Sequence, residues 1–243
     1  MFAYHAPPGL LQGRRILVTG ASRGIGAAAA LAYAAHGAQL VLLGRDRESL
    51  AHTAQALAAA GHAPAQLVAL DLEHAEAADY TALAAELGGH LDGLLHNASL
   101  LGPRAAVEHT PASEFARVMQ VNVNATFALT RALLPLLRKA PGDASVVFTS
   151  SSVGRKGRAH WGAYAVSKFA TEGLMQTLAD ELAGTPLRAN SINPGGTRTA
   201  MRAAAYPDED PQRVPAPAQI MPVYLYLMGP DSAAVNGQAL NAQ

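Results

Sequence analysis

Tyr164 and Lys168 stand four residues apart in the segment AYAVSKFA. On a helix this spacing sets a phenol and an ammonium on one face, one turn apart. A free tyrosine titrates near pH ~10 and is a poor acid–base group at neutral pH. A cation held beside it favours the phenolate and brings the group toward a useful range. Ser151 lies thirteen residues before Tyr164, where the apolar run SVVFTS ends. A glycine-rich turn, TGASRGIG, occupies residues 19–26. A phosphate cradle, a hydroxyl and a tuned tyrosine together point to hydride chemistry on a nucleotide cofactor.

These groups need a scaffold, and the patterning describes one. Short apolar runs at 15–19, 39–43, 66–70, 91–96, 145–149 and 187–192 read as buried strands. Between them, 25–35, 47–60, 75–87, 113–137 and 162–182 read as helices. Residues 199–217 have no clear period and read as a mobile loop or short helix over the site. Residues 218–228 read as helical and 237–241 as an edge strand. Strand and helix alternate throughout, which calls for a parallel sheet covered on both faces. The expected fold is α/β, a doubly wound parallel sheet of Rossmann type with three layers, forming one domain over 1–243.

Composition narrows the function. Lys plus Arg and Asp plus Glu are equal at 18 each, so no basic face is offered to nucleic acid or to an anionic membrane. The chain has no cysteine, which removes disulfides and thiol catalysis. The nine histidines show no metal-binding spacing such as H-E-x-x-H, so no metal is expected. The first residues lack a secretory pattern and no run of 18 apolar residues occurs, so a cytoplasmic protein is expected.

At the cofactor end, Gly20, Ser22, Arg23, Gly24, Ile25 and Gly26 form the expected phosphate turn, which follows a strand and opens a helix. The second strand ends LLGRD, with Gly44 where an acid that selects NAD often stands. Arg45 follows it and Arg23 sits in the turn; two guanidiniums near the ribose favour a 2′-phosphate, hence NADP(H). Asp46 leaves NAD(H) as the alternative. Asp71, with Leu72, ends the third strand and is read either as an adenine acceptor or as a helix cap. Asn97 and Ala98 end the fourth strand near the expected adenosine ribose. Pro194, Gly195, Thr197 and Thr199 follow the sixth strand and are expected beside the nicotinamide and pyrophosphate.

Together these marks resemble the short-chain dehydrogenase/reductase family over nearly the whole chain. They are TGASRGIG, HNAS at 96–99, Asn122 in VNVNATF, Ser151, Tyr164, Lys168 and PGGTRT at 194–199. The stretches VFTSSSVGR, WGAY, SKFATEG and INPGGTRTAMRA are similar to the bacterial YciK-type oxidoreductases. The resemblance implies that Tyr164 exchanges a proton with the substrate oxygen and that Ser151 holds that oxygen. It implies that Lys168 lowers the tyrosine pKa and bonds the nicotinamide ribose, while Asn122 anchors a water that completes a proton relay. Such preplaced donors stabilise the alkoxide that hydride addition creates.

Two departures stand out: Ser99 replaces the family's usual glycine after Asn97-Ala98, and the ending GQALNAQ lacks paired glycines. The substrate wall is expected from Val153 to Trp161, with Ser151 and Tyr164, and from the segment after Thr199. Arg155, Lys156 and Arg158 form a basic cluster that either steers an anionic substrate or is a solvated face. The family implies a homodimer or homotetramer paired through two long helices; Ala125, Phe127, Leu129, Leu133 and Leu136 form an apolar stripe that either supplies that face or belongs to the core of the chain. The expected activity is carbonyl reduction or alcohol oxidation on a small molecule. Competing readings are a nucleotide-binding regulatory or scaffold protein, and an epimerase or dehydratase that retains its cofactor.

Overall fold

A computed structural model describes residues 1–243. Seven strands form one sheet: β1 (Arg15–Thr19), β2 (Gln39–Gly44), β3 (Gln66–Ala69), β4 (Gly93–His96), β5 (Ala144–Thr149), β6 (Leu187–Asn193) and β7 (Ala239–Asn241). The helices are α1 (Gly24–Ala35), α2 (Arg47–Ala59), α3 (Ala77–Leu87), α4 (Ala112–Met119), α5 (Ala125–Leu137), α6 (Gly162–Glu181), α7 (Ala200–Ala205) and α8 (Met221–Met228). The strand order is β3-β2-β1-β4-β5-β6-β7 and every pairing is parallel.

The apolar runs are continuous because both faces of the sheet are covered. Along β1, Ile16 and Val18 enter a core with Tyr33 of α1, Leu50 of α2 and Tyr224 of α8. Leu17, between them, enters the opposite core with Leu83 of α3, Leu129 of α5 and Met175 of α6. That alternation is the period of an extended strand. The chain runs outward from β1 to β3, then returns to place β4 against the other side of β1. The reversal opens a crevice at the carboxyl ends of β1 and β4, where a doubly wound sheet binds its ligands.

One detail differs from expectation and two open alternatives are decided. The helix predicted over 113–137 is interrupted by a π turn at Gln120–Asn124, where the Ala125 N–H reaches back to the Gln120 carbonyl. No glycine or proline marks the spot, so local propensity gives no warning of it. The segment after Thr199 folds as the short helix α7 followed by 3₁₀ turns. The apolar stripe of α5 is mostly internal. Ala125, Leu129, Leu133 and Leu136 are core residues, whereas Phe127 alone of that set faces outward. No helix is long and apolar enough to cross a membrane.

Candidate active site

Tyr164 lies in the first turn of α6 and Lys168 one turn later, both buried. The Lys168 Nζ is 5.5 Å from the centroid of the tyrosine ring. It donates to the Thr149 carbonyl, the last residue of β5, at 2.8 Å. Burial pulls the Lys168 pKa down to about 8, and the Glu172 carboxylate one turn further along works against that fall. Glu172 is itself held by Arg155 at 3.2 Å and by the Ser191 hydroxyl at 2.7 Å. Burial pushes the Tyr164 phenol up to about 12, while the nearby Ser151 and Ser99 hydroxyls act in the opposite direction. The net direction is opposite to that expected from the lysine charge alone, because removal of the phenol from water outweighs the groups that favour its anion.

Ser151 sits where β5 gives way to a 3₁₀ turn at Ser152–Gly154, and its Oγ accepts from the Val153 N–H at 3.4 Å. Ser150 is buried and Ser152 is exposed, since the extended strand ends at Thr149.

Asn122 is buried in the π turn, and both ends of its amide are used. Its Oδ1 accepts from the Leu100 N–H at 2.7 Å, and its Nδ2 donates to the Leu100 carbonyl and the Ser167 hydroxyl, each at 2.9 Å. Ser167 in turn donates to the Tyr164 carbonyl at 2.8 Å. Asn122 therefore ties the loop after β4 to the helix that carries the tyrosine. Its main-chain carbonyl accepts from the Thr126 hydroxyl at 3.0 Å.

The glycine turn is closed to side chains. A Cβ on Gly20 would lie 2.9 Å from the Ala98 Cα, and one on Gly26 only 2.2 Å from the Gly20 carbonyl oxygen. Gly20 and Gly24 have φ of 62° and 58°, which favours glycine at both. The Thr19 hydroxyl receives the N–H groups of Asn97 at 2.9 Å and Ala98 at 3.0 Å, and the Asn97 amide donates to the Thr19 carbonyl at 3.2 Å. Asn97 and Ala98 thereby fix the turn to β4. Ser22 and Ile25 are half-buried beside the turn and Arg23 is exposed. The amino end of α1 has no side-chain cap and no acidic residue in its first turn, which leaves its N–H groups to an anion.

At the ribose end, a Cβ on Gly44 would lie 2.9 Å from Leu50 Cδ2, so the position cannot take an acid without moving the core. Asp46 is spent on α2: its carboxylate accepts from the Ser49 N–H at 2.7 Å and the Ser49 hydroxyl at 3.0 Å. Arg45 is exposed at this edge and close enough to favour ionisation of Asp46 and Asp71. The Asp71 carboxylate accepts from the Glu73 N–H at 3.1 Å and lies 3.0 Å from His74 Nδ1. It serves a turn and caps no helix, since the residue that caps α3 is Glu76, while Leu72 is buried.

The PGGTRT segment folds over the same turn. The Thr199 methyl would lie 3.4 Å from a Cβ on Gly24. The Thr199 hydroxyl caps α7 by accepting from the Arg202 N–H at 3.1 Å, and Thr197 is buried with its hydroxyl donating to the Pro194 carbonyl at 3.2 Å. Gln243, which the sequence does not single out, donates to the carbonyls of Pro194 at 2.6 Å and Gly196 at 3.0 Å. Gly195 has φ of 70°, and a Cβ there would meet the Gln243 amide at 2.6 Å.

Val153, Trp161 and Tyr164 pack in one apolar cluster with Ala205, against Tyr206 and Met201 of the α7 region. The Trp161 ring lies 5.8 Å from that of Tyr164 and 5.9 Å from that of Tyr206. The expected basic cluster divides. Arg155 turns away to Glu172, to the Asn241 side chain at 2.8 Å and to the Leu240 carbonyl at 3.0 Å. Arg158 stays at the mouth and donates to the Tyr206 hydroxyl at 2.8 Å. Arg104, missed in the sequence, stacks on Trp161 at 4.7 Å and on Tyr206 at 5.0 Å. It stands in a connection with no periodicity, so only the fold brings it there.

Residues 14–210 match the family model for short chain dehydrogenases. The oxidoreductase YciK of Escherichia coli (strain K12) is 53% identical over 243 residues, which cover 99% of this chain and 96% of that protein. A short chain dehydrogenase structure from Pseudomonas syringae is 67% identical, covers all of both chains and superposes with a TM-score of 0.98. A short chain dehydrogenase structure from Escherichia coli CFT073, complexed with NADPH, is 54% identical with a TM-score of 0.95, covering 98% of this chain and 100% of that one.

Proposed function

The chain belongs to the short-chain dehydrogenase/reductase family, and on that premise we propose that it is an NADP(H)-dependent reductase of a carbonyl compound, or dehydrogenase of the corresponding alcohol. One observation carries the reading. A buried lysine, a buried tyrosine and a serine hydroxyl meet at the carboxyl end of β5, beside a glycine turn that admits no side chain.

The residues present fit the cofactor. The uncapped amino end of α1 and the closed glycine turn suit a pyrophosphate. A side chain at Gly44 would have to displace Leu50, and Asp46 is occupied by Ser49, so Arg45 and Arg23 are left to a 2′-phosphate. The NADPH bound to the Escherichia coli CFT073 relative supports the same choice. When bound, NADPH supplies the hydride. Ser151 then holds the substrate oxygen, and Tyr164 gives that oxygen its proton as the C=O double bond becomes single; oxidation reverses both. Lys168 orients the nicotinamide ribose, and its proton is restored through a water on the Asn122 carbonyl. Val153 and Trp161 form the wall that positions the substrate. Site residues run from Gly20 to Gln243, so the reading assigns 1–243 to one catalytic unit. Subunits pair through the exposed apolar residues of α5 and α6, Phe127, Val166 and Phe169.

The test is NADPH oxidation against a panel of aldehydes and ketones, with Tyr164→Phe alongside. Turnover is expected to fall at least about a hundredfold in that variant, with NADPH affinity retained. Equal turnover in the variant would overturn the proposal. NADPH binding with no turnover on any carbonyl would favour a regulatory protein.

A further inference from the structure

Three guanidiniums gather on one aromatic ring at the mouth of the site. The Arg202 Cζ lies 3.8 Å from the centroid of the Tyr206 ring, that of Arg104 5.0 Å and that of Arg158 6.0 Å. Arg202 is neutralised, since Glu209 accepts from its Nε at 2.6 Å and its Nη2 at 2.5 Å. Arg104 and Arg158 pair with no carboxylate. The other acids of this segment do not reach them: Asp210 accepts from the Gln212 N–H at 2.9 Å, and Asp208 makes no ion pair. Like charges this close repel, so their places must be held by other contacts. Arg104 also stacks on Trp161 at 4.7 Å, and its Nη1 donates to the Ala205 carbonyl. Arg158 is held by the Tyr206 hydroxyl at 2.8 Å. Two positive charges are thus fixed, and left without a counter-charge, at the substrate wall. Trp161, which carries Arg104, lies 5.8 Å from the Tyr164 ring, and its Nε1 is buried without a partner.

We propose that Arg104 and Arg158 bind an anionic group of the substrate, a carboxylate or a phosphate, so that the carbonyl compound this site takes is an anion. A guanidinium whose face lies on an aromatic ring keeps its N–H edge for an acceptor, and that edge matches the oxygens of carboxylates and phosphates. A neutral substrate would leave the two charges facing each other without a counter-ion. An anion between them removes that repulsion and gains charge-assisted bonds. The unpartnered indole N–H of Trp161 gives the same wall one further donor for an oxygen. A solvated face does not account for the arrangement, because Arg104 is laid against two rings and a main-chain carbonyl instead of extending into water. The partner of Arg158 in this role is therefore Arg104, from the connection after β4, and not Arg155, which is spent on Glu172.

The inference rests on the reading of Tyr164 as the group that faces the substrate carbonyl. Trp161 is the only tryptophan of the chain, so its fluorescence reports on this wall alone. The protein is saturated with NADP, which fills the 2′-phosphate site, and titrated with hexanoate, hexyl phosphate and the neutral hexanamide. At least one of the anions is expected to change the Trp161 signal and to bind about tenfold more tightly than the amide; the tighter of the two tells carboxylate from phosphate. Arg104→Gln and Arg158→Gln are each expected to weaken that anion about tenfold and to leave hexanamide unchanged. Lys139 follows α5 near the amino end of β4, at the opposite end of the sheet, and Lys139→Gln is expected to change neither ligand. Anions that bind no more tightly than the amide, or that lose as much in Lys139→Gln as in Arg104→Gln, overturn the proposal. In turnover, an aldehyde that carries the preferred anion is expected to exceed its neutral ester in kcat/KM, and to lose that advantage in Arg104→Gln. If no carbonyl is turned over, the proposed function fails, and the fluorescence titration still decides the anion site.

Discussion

Leu50 fills the space that a side chain at Gly44 would need, its Cδ2 lying 2.9 Å from the position of a Cβ. A core residue of α2 thus keeps the ribose pocket free of an acid. Two outcomes follow. Gly44→Asp is expected to destabilise the fold by about 1–3 kcal/mol through overpacking and to gain little NADH affinity. Arg45→Ala is expected to weaken NADPH binding about tenfold by removing a charge-assisted contact and to leave NADH binding unchanged. Fluorescence titration of both cofactors measures the ratio, and an unchanged ratio in Arg45→Ala removes that residue from cofactor selection.

Lys168 carries its charge in the interior, and the sign of its effect on stability is fixed. Burial lowers its pKa from 10.5 to about 8 in the folded chain. Below pH ~8 the lysine is charged in both states, and the cost of burying the charge is fully present. Between that pH and the unfolded value the native lysine sheds its proton while the unfolded one keeps it, so this contribution rises in favour of the fold. Lys168→Met is therefore expected to be more stable than the wild type at pH 7, by about 2 kcal/mol once the unpaired Thr149 carbonyl is counted. Urea unfolding should show the gap narrowing from pH 7 to pH 9.5. A gap that does not change with pH would show that Lys168 is not the group responsible.

Much of this site is legible before the fold is known, because it lies in short local patterns. Tyr164 and Lys168 share a helix face, and the glycine turn follows a strand. What is not legible comes from long-range pairing. Asn122 is recognisable as a residue, but its π turn is not, since the bond of its amide to Leu100 joins segments 22 residues apart. Gln243 meets Pro194 across 49 residues. Arg155 and Arg158 look alike in sequence, yet one faces β7 and the other Tyr206. The two uses of the α5 stripe, subunit contact or core, stay open in the sequence for a related reason. On α5 the apolar residues that suggest an interface are those the sheet itself requires, and periodicity does not separate the two uses.

Asn122→Ala would leave the Leu100 N–H and carbonyl without their partner. A loss of about 2–4 kcal/mol is expected from two stranded backbone groups. The same change cuts the tie between the loop after β4 and the helix that carries Tyr164, so turnover should fall by more than NADPH affinity does. Urea unfolding and steady-state kinetics on one preparation check both parts.

Gln243 fastens the Pro194–Gly196 loop by its side-chain amide alone. Gln243→Ala is expected to weaken NADPH binding a few-fold, about 0.5–1.5 kcal/mol for lost neutral hydrogen bonds. The melting temperature should scarcely change, because the residue lies at the surface. Unchanged NADPH affinity would show that the loop holds its shape without the clasp.

Subunit pairing turns on which apolar groups of α5 and α6 the fold leaves uncovered. Phe127 is 53% exposed, Val166 45% and Phe169 46%, whereas Leu129 and Leu133 are internal. Large apolar side chains left in water on neighbouring long helices mark a contact surface. The wild type is therefore expected to scatter light as a dimer or tetramer. Phe127→Glu and Phe169→Glu should each lower the mass toward the monomer, since a buried unpaired carboxylate opposes association. Their near-ultraviolet circular dichroism should remain native, because neither ring contributes to the cores. Leu129→Glu is the contrasting change and should unfold the chain. A wild type that is monomeric at micromolar concentration, or Phe→Glu variants that keep the wild-type mass, would refute pairing through this face.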